Sequence, residues 1–215
     1  MSKSVYSLVL SDEVIAAVDR AAHREGMSRS AYINSVLADS VSYVPPEKRV
    51  NDIFGAIEQL MNSDIFRIMP RPSETALALR SALHYKYNPV MRYSIEFSKN
   101  DTKLRAKVSA YLRTQSAALN ACYSEFLSLW VLLDGGYSGS SYKGSIDGGK
   151  FTRLFDITVS SELSDNDIAE ALSNYVSVFD ELIKLWFSYA DDPAAAEKAV
   201  EKRYSELTAP TNNTI

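Results

Sequence analysis

The chain has 215 residues, is 46% hydrophobic and 23% charged, and carries a formal net charge of −4, the balance of a folded globular protein rather than a collagen, a coiled coil or a disordered segment. Its single cysteine, Cys122, excludes an internal disulfide and a cysteine-based zinc site. The opening MSKSVYSLVL holds too short an apolar run for a secretory signal, and no stretch approaches the roughly 20 apolar residues of a membrane span, so a soluble, cytoplasmic protein without membrane contact is expected.

Residues 4–10, SVYSLVL, are β-branched and apolar enough to predict a strand. Ser11 follows as a helix N-cap, with Asp12 and Glu13 in the first turn, where the helix dipole favours negative charge. Val14, Ile15, Val18, Ala21 and Ala22 then form one apolar stripe, and Gly26 ends the helix. Ser28 caps a second helix carrying Tyr32, Ile33, Val36 and Leu37, which is expected to fade near Val44 before Pro45 and Pro46. One short strand and two short helices enclose too little core to stand alone. The simplest missing partner is a second copy of the chain.

Residues 45–50 read as a linker, and residues 51–62 as a helix carrying Ile53, Phe54, Ile57, Leu60 and Met61. After a break around Pro70 and Pro72, Ser73 is expected to cap a helix through Leu77, Leu79 and Leu83. Residues 91–98 alternate apolar and polar side chains, the pattern of a half-buried strand. Residues from 101 to about 133 read as one long helix or two helices broken near Thr114. Six of the eight glycines fall in residues 135–149, a flexible loop or irregular hairpin connection. A second strand is expected over 151–159, and Ser164 caps a strong helix with Ile168, Leu172, Val176, Phe179, Ile183 and Trp186 on its apolar side. A last helix runs from Pro193 to about Leu207, and residues 208–215 read as a disordered tail. The segments beginning at Arg92 and Arg153 share a faint strand-then-helix pattern, each helix ending in Leu-Trp; ordinary patterning accounts for it as well as a repeat does.

The first 44 residues resemble the ribbon-helix-helix DNA-binding family, the Arc/MetJ/CopG group. The resemblance rests on the alternating strand ending at Leu10, the Ser11 cap, Asp12-Glu13, Gly26, and Ser28-Arg29-Ser30, all without a gap. It implies an intertwined homodimer in which one strand from each copy pairs antiparallel and enters the major groove of operator DNA. Tyr6, Leu8, Leu10, Ile33, Val36 and Leu37 would then form the dimer core. Val5, Ser7 and Val9, preceded by Lys3, would face the bases, with Ser28, Arg29 and Ser30 at a phosphate. The groove-facing positions depart from the family's usual polar set: two valines and one serine offer little direct base readout. Residues 1–44 also hold one more acidic than basic residue, so a second reading is open, in which the unit only dimerises.

The expected fold is therefore α+β and mostly helical: a ribbon-helix-helix domain over residues 1–44 and a larger C-terminal domain over residues 51–207, with a few strands. The expected function is a transcriptional regulator, most simply a repressor of its own promoter, binding double-stranded DNA as a homodimer or higher oligomer. A protein partner at the C-terminal domain, as in an antitoxin-like or DNA-segregation adaptor, is the alternative. No enzyme, cofactor or metal site is expected. His23 and His84 stand far apart in sequence, the glycine pairs 135–136 and 148–149 fit no phosphate-loop pattern, and Cys122 lies on an apolar stripe. Tyr85-Lys86-Tyr87 and Arg92-Tyr93 interleave aromatic and basic residues, which reads as a half-buried aromatic rim in a chain with 13 tyrosines, ahead of a base-stacking platform.

Overall fold

Ser11 opens the first helix, its side chain accepting from the Val14 N–H, and Asp12 and Glu13 fill the first turn of α1 (Asp12–Arg24). Gly26, at φ +65°, turns the chain in a conformation that favours glycine. Ser28 then caps α2 (Arg29–Ser40) by accepting from the Ala31 N–H. In this computed structural model the described residues are 7–41, 46–86, 88–100, 103–139, 142–158 and 163–209. They belong to two compact units, Met1–Lys48 and Arg49–Ile215.

The predicted N-terminal strand is not found among the described residues. Its first part, with Lys3, Val5 and Tyr6, lies outside the described residues, and residues 7–10 carry no strand ladder, so the first regular element among the described residues is helical. A strand is defined by backbone hydrogen bonds to a neighbour, and the described residues of this unit place no second strand beside it. The predicted linker is also corrected, because α3 (Pro46–Leu60) starts inside it. Proline lacks the N–H that a helix's first residue leaves unused, so Pro46 opens this helix rather than preventing it.

The second unit is an α+β arrangement built on a six-stranded, wholly antiparallel sheet. Its strands are β1 (Phe66–Ile68), β2 (Ala76–Ala82), β3 (Val90–Asn100), β4 (Lys103–Arg113), β5 (Gly144–Asp147) and β6 (Lys150–Thr158), in the order β1-β2-β3-β4-β6-β5. The helices α4 (Ala117–Ser138), α5 (Asp165–Ser188) and α6 (Pro193–Leu207) complete it with α3. One sheet face is apolar and buried: Leu77 and Leu79, then Met91, Tyr93, Ile95 and Phe97, then Leu104, Ala106, Val108, Ala110 and Leu112. Helix side chains pack on it, Phe54 against Phe97 with ring centres 5.4 Å apart and Phe179 against Tyr93 at 6.0 Å. Trp130 and Phe179, at 4.8 Å, join α4 to α5 within the same core.

One predicted helix, and the first part of another, are strands. The segment read as a helix capped by Ser73 is β2, paired residue for residue with β3, and the start of the predicted 101–133 helix is β4. Both segments are rich in Ala, Leu, Lys and Arg, good helix formers in isolation, but cross-strand pairing decides the outcome. The glycine-rich stretch 135–149 is more regular than predicted: α4 runs through Gly135 and Gly136, and Gly148 and Gly149, at φ +52° and +75°, form the two-residue turn of the β5–β6 hairpin. The faint repeat is not a structural one, since Arg92 lies on β3, which leads into β4 and not into a helix. The capping read from Ser164 holds fully: its side chain accepts from the Asp167 N–H while Asp167 accepts from the Ser164 N–H.

Candidate nucleic-acid interface

The first unit hides little of its apolar surface. In α1 and α2 the buried side chains are Ala21, Ala22 and Ala38. The predicted dimer-core residues that are described stand largely open: Leu8 is 59% exposed, Leu10 38%, Val36 48% and Leu37 52%, with Ile33 half-buried. Val36 and Leu37 follow Ile33 by three and four positions, so they share one side of α2. Val9 is fully exposed, and Ser7 is exposed as well. Leu8 and Leu10 are less exposed than the Val9 between them, the alternation expected of an extended segment with one side leaning toward helices.

The N-terminus of α2 differs from the predicted phosphate site. Ser28 is engaged as the cap, and Ser30 is exposed. Arg29 is turned onto α1, its Nε and Nη2 donating to the two carboxylate oxygens of Asp19, each at 2.6 Å. This two-pronged hydrogen bond holds the Asp19 carboxyl below the usual carboxylate range and raises the Arg29 guanidinium in turn. The charge expected to meet a phosphate is neutralised within the chain. Arg20, His23 and Arg24 line an open depression along α1 beside Ala17 and Asp19 and are the basic side chains left to the unit's surface there.

The second unit holds two buried polar clusters that sequence reasoning missed. Asp180 of α5, 2% exposed, accepts from the Tyr93 hydroxyl at 2.8 Å and the Ser81 hydroxyl at 3.1 Å, and Lys184 donates one turn further on at 2.5 Å. Burial first, then the Asp180 charge, pushes the Tyr93 hydroxyl well above its ordinary value. Asp134 of α4 accepts from Tyr175 at 2.6 Å and faces the buried Arg153 at 3.4 Å. Arg153 lies between the rings of Tyr142 and Phe155, 4.4 and 5.0 Å from their centres. Burial raises the Asp134 carboxyl despite Tyr175 and Arg153. Both clusters bind helix to sheet, and neither sets a nucleophile beside a base at an open surface. A carboxylate in the fifth turn of an apolar helix stripe, as at Asp180, is the signal that could have marked the first of them.

Arg92 and Tyr93, read together as part of an aromatic rim, part company: Tyr93 is in the core and Arg92 is on the other sheet face. Cys122 is partly exposed, and burial raises its thiol. Among the described residues no three His, Cys, Asp or Glu side chains stand together to hold a metal ion, and no helix is long and apolar enough to cross a membrane. Compared with known proteins, the chain matches no family model, no curated protein and no solved structure.

Proposed function

We propose that the protein is a homodimeric DNA-binding regulator whose N-terminal unit is a ribbon-helix-helix. Residues 4–10 of two copies pair antiparallel to form the ribbon, and Val5, Ser7 and Val9, with Lys3, face the major groove. The observation that supports this reading best is the open apolar surface of Leu8, Leu10, Val36 and Leu37 on a unit whose own buried helix side chains are alanines. Covering the exposed part of each such side chain is worth on the order of 1 kcal/mol, so a second copy would supply the core that the single unit lacks. Operator occupancy is then the plainest route to repression, with half-site spacing and DNA shape providing much of the specificity.

The Arg29–Asp19 pair favours a second reading, a unit that dimerises without gripping DNA, because it withdraws the cation nearest the α2 N-terminus. Binding of the purified chain to its own upstream DNA and to an unrelated duplex, at two salt concentrations, separates the two. The regulator predicts tighter, salt-sensitive binding to the upstream fragment. A stable dimer that binds neither duplex would overturn it in favour of dimerisation alone.

A further inference from the structure

The antiparallel register of the second unit brings together residues far apart in sequence on the sheet face opposite the helices. Arg67 of β1 pairs with Arg80 of β2, Arg80 with Arg92 of β3, Arg92 with Tyr111 of β4, and Tyr111 with Lys150 of β6. Directly paired residues share a face, and these alternate with buried neighbours, Leu79 and Ser81 beside Arg80, and Met91 and Tyr93 beside Arg92. The result is one row across the sheet, Arg67–Arg80–Arg92–Tyr111–Lys150, with Arg67 and Lys150 exposed and the middle members partly so. Adjacent strands are about 4.8 Å apart, so the row extends for roughly 19 Å.

The cations of this row are not structural ion pairs. Arg67, Arg80, Arg92 and Lys150 form no salt bridge among the described residues, whereas two carboxylates of the same face are engaged by other cations: Glu96 by Lys107 at 2.6 Å, and Asp156 by Arg105 at 2.7 Å and by Lys143. Asp147 of β5 stands opposite Lys150 at the far end of the row. Arg80 directly opposite Arg92 is an unfavourable like-charge pair, and the Arg92 Nε is buried without a hydrogen-bond partner. An anion lying along the row would relieve the like-charge repulsion between Arg80 and Arg92. The row is too long for a single phosphate group to fill, arginine suits phosphate through its planar fork, and Tyr111 sets one aromatic ring among the cations. The neighbouring row, Ala78, Ser94, Ser109 and Thr152, is of small side chains.

We infer that this sheet face is a binding surface for single-stranded nucleic acid, with Arg67, Arg80, Arg92 and Lys150 along the phosphate backbone and Tyr111 stacked on a base. An aromatic ring within a cationic track is how unpaired strands are held, and it distinguishes this occupant from an acidic protein segment, which has no use for the ring. The inference concerns the second unit and does not depend on the N-terminal reading.

The test is fluorescence anisotropy of a labelled oligothymidylate of about 15 nucleotides with the full chain, at two salt concentrations. Saturable binding that weakens with salt is expected. The double variant Arg80→Ser/Arg92→Ser should weaken it at least about tenfold and flatten its salt dependence, since fewer phosphates are neutralised. Tyr111→Leu should weaken binding about tenfold, and Tyr111→Phe should restore it, because the ring and not the hydroxyl stacks. The double variant removes a like-charge pair, so its thermal melt should match or exceed the parent's; Lys150→Glu, at the exposed hairpin end, gives a second variant that should also weaken binding. Failure of the parent to bind, or unchanged affinity in the double variant and Lys150→Glu, overturns the inference. A duplex of equal length competing as well as the oligothymidylate overturns the single-strand assignment, and polyglutamate competing as well at equal charge overturns the nucleic-acid assignment.

Discussion

Asp134 and Arg153 are about 5% exposed at their side chains, so each depends on the other for a charge partner, and Tyr175 supplies the hydroxyl that completes the carboxylate. Asp134→Asn keeps the shape and an acceptor for Tyr175 but strands the Arg153 guanidinium, which already has Nη1 without a partner. Removing one member of a buried pair costs about 3–5 kcal/mol, so urea unfolding of this variant should lose that much, and a loss under 1 kcal/mol would mean water reaches the site. Asp156 behaves in the opposite sense at the surface. Hydrogen bonds from Lys143 and then Arg105 hold its carboxyl down to about 2, against an ordinary 3.8. A carboxyl depressed by folding stabilises above its unfolded value and stops doing so as pH falls through its folded one. The parent should therefore lose stability between about pH 4 and pH 2 with a slope that Asp156→Asn lacks. Equal acid slopes in the two proteins would show that the surface pairs are not held in solution.

At the scale of elements, the β5–β6 hairpin depends on glycine at a particular place. A Cβ on Gly144 would collide with the Tyr142 ring, which covers the Arg153 guanidinium, whereas one on Gly136, inside α4, would meet nothing within 4 Å. Gly144→Ala should cost about 1–3 kcal/mol in thermal or urea unfolding, as overpacking does. Gly136→Ala should instead gain about 0.5–1 kcal/mol by cutting the freedom of the unfolded chain. The same elements show what could be read beforehand. Caps at Ser11, Ser28 and Ser164 were legible because a side-chain acceptor three residues from an N–H is a local device. β4 was misread although Leu104, Ala106, Val108, Ala110 and Leu112 alternate strictly, because helix-forming residue types outweighed the period. β2 went the same way, with Leu77, Leu79 and Leu83 read as a helix behind Ser73. The cationic row was illegible for a different reason: Arg67, Arg80, Arg92 and Lys150 meet only through strand register, which no single segment carries. Arg29, by contrast, was visible as a cation, but its partner Asp19 lies ten residues back on another helix.

At the scale of the whole molecule, the two units differ in how they are held together. The second has its own buried core, running from Val50 to Tyr204, with Trp130, Phe126 and Phe179 fully buried. The first buries alanines and exposes Leu8, Leu10, Val36 and Leu37, so its stability should depend on protein concentration in the way that an obligate dimer's does. Leu10→Glu places a charge where the paired strands would bury a leucine, at a cost of several kcal/mol for an unpaired carboxylate. The variant should elute as a monomer by light scattering and lose binding to upstream DNA. Its sheet unit should stay folded, with the near-ultraviolet signal of Trp130 and Trp186 intact, since both tryptophans lie in the second core. A dimer that survives Leu10→Glu would show that association runs through another surface and would remove the strand-pairing account of the N-terminal unit. A monomer that still binds its upstream DNA as tightly as the parent would remove the requirement for a ribbon.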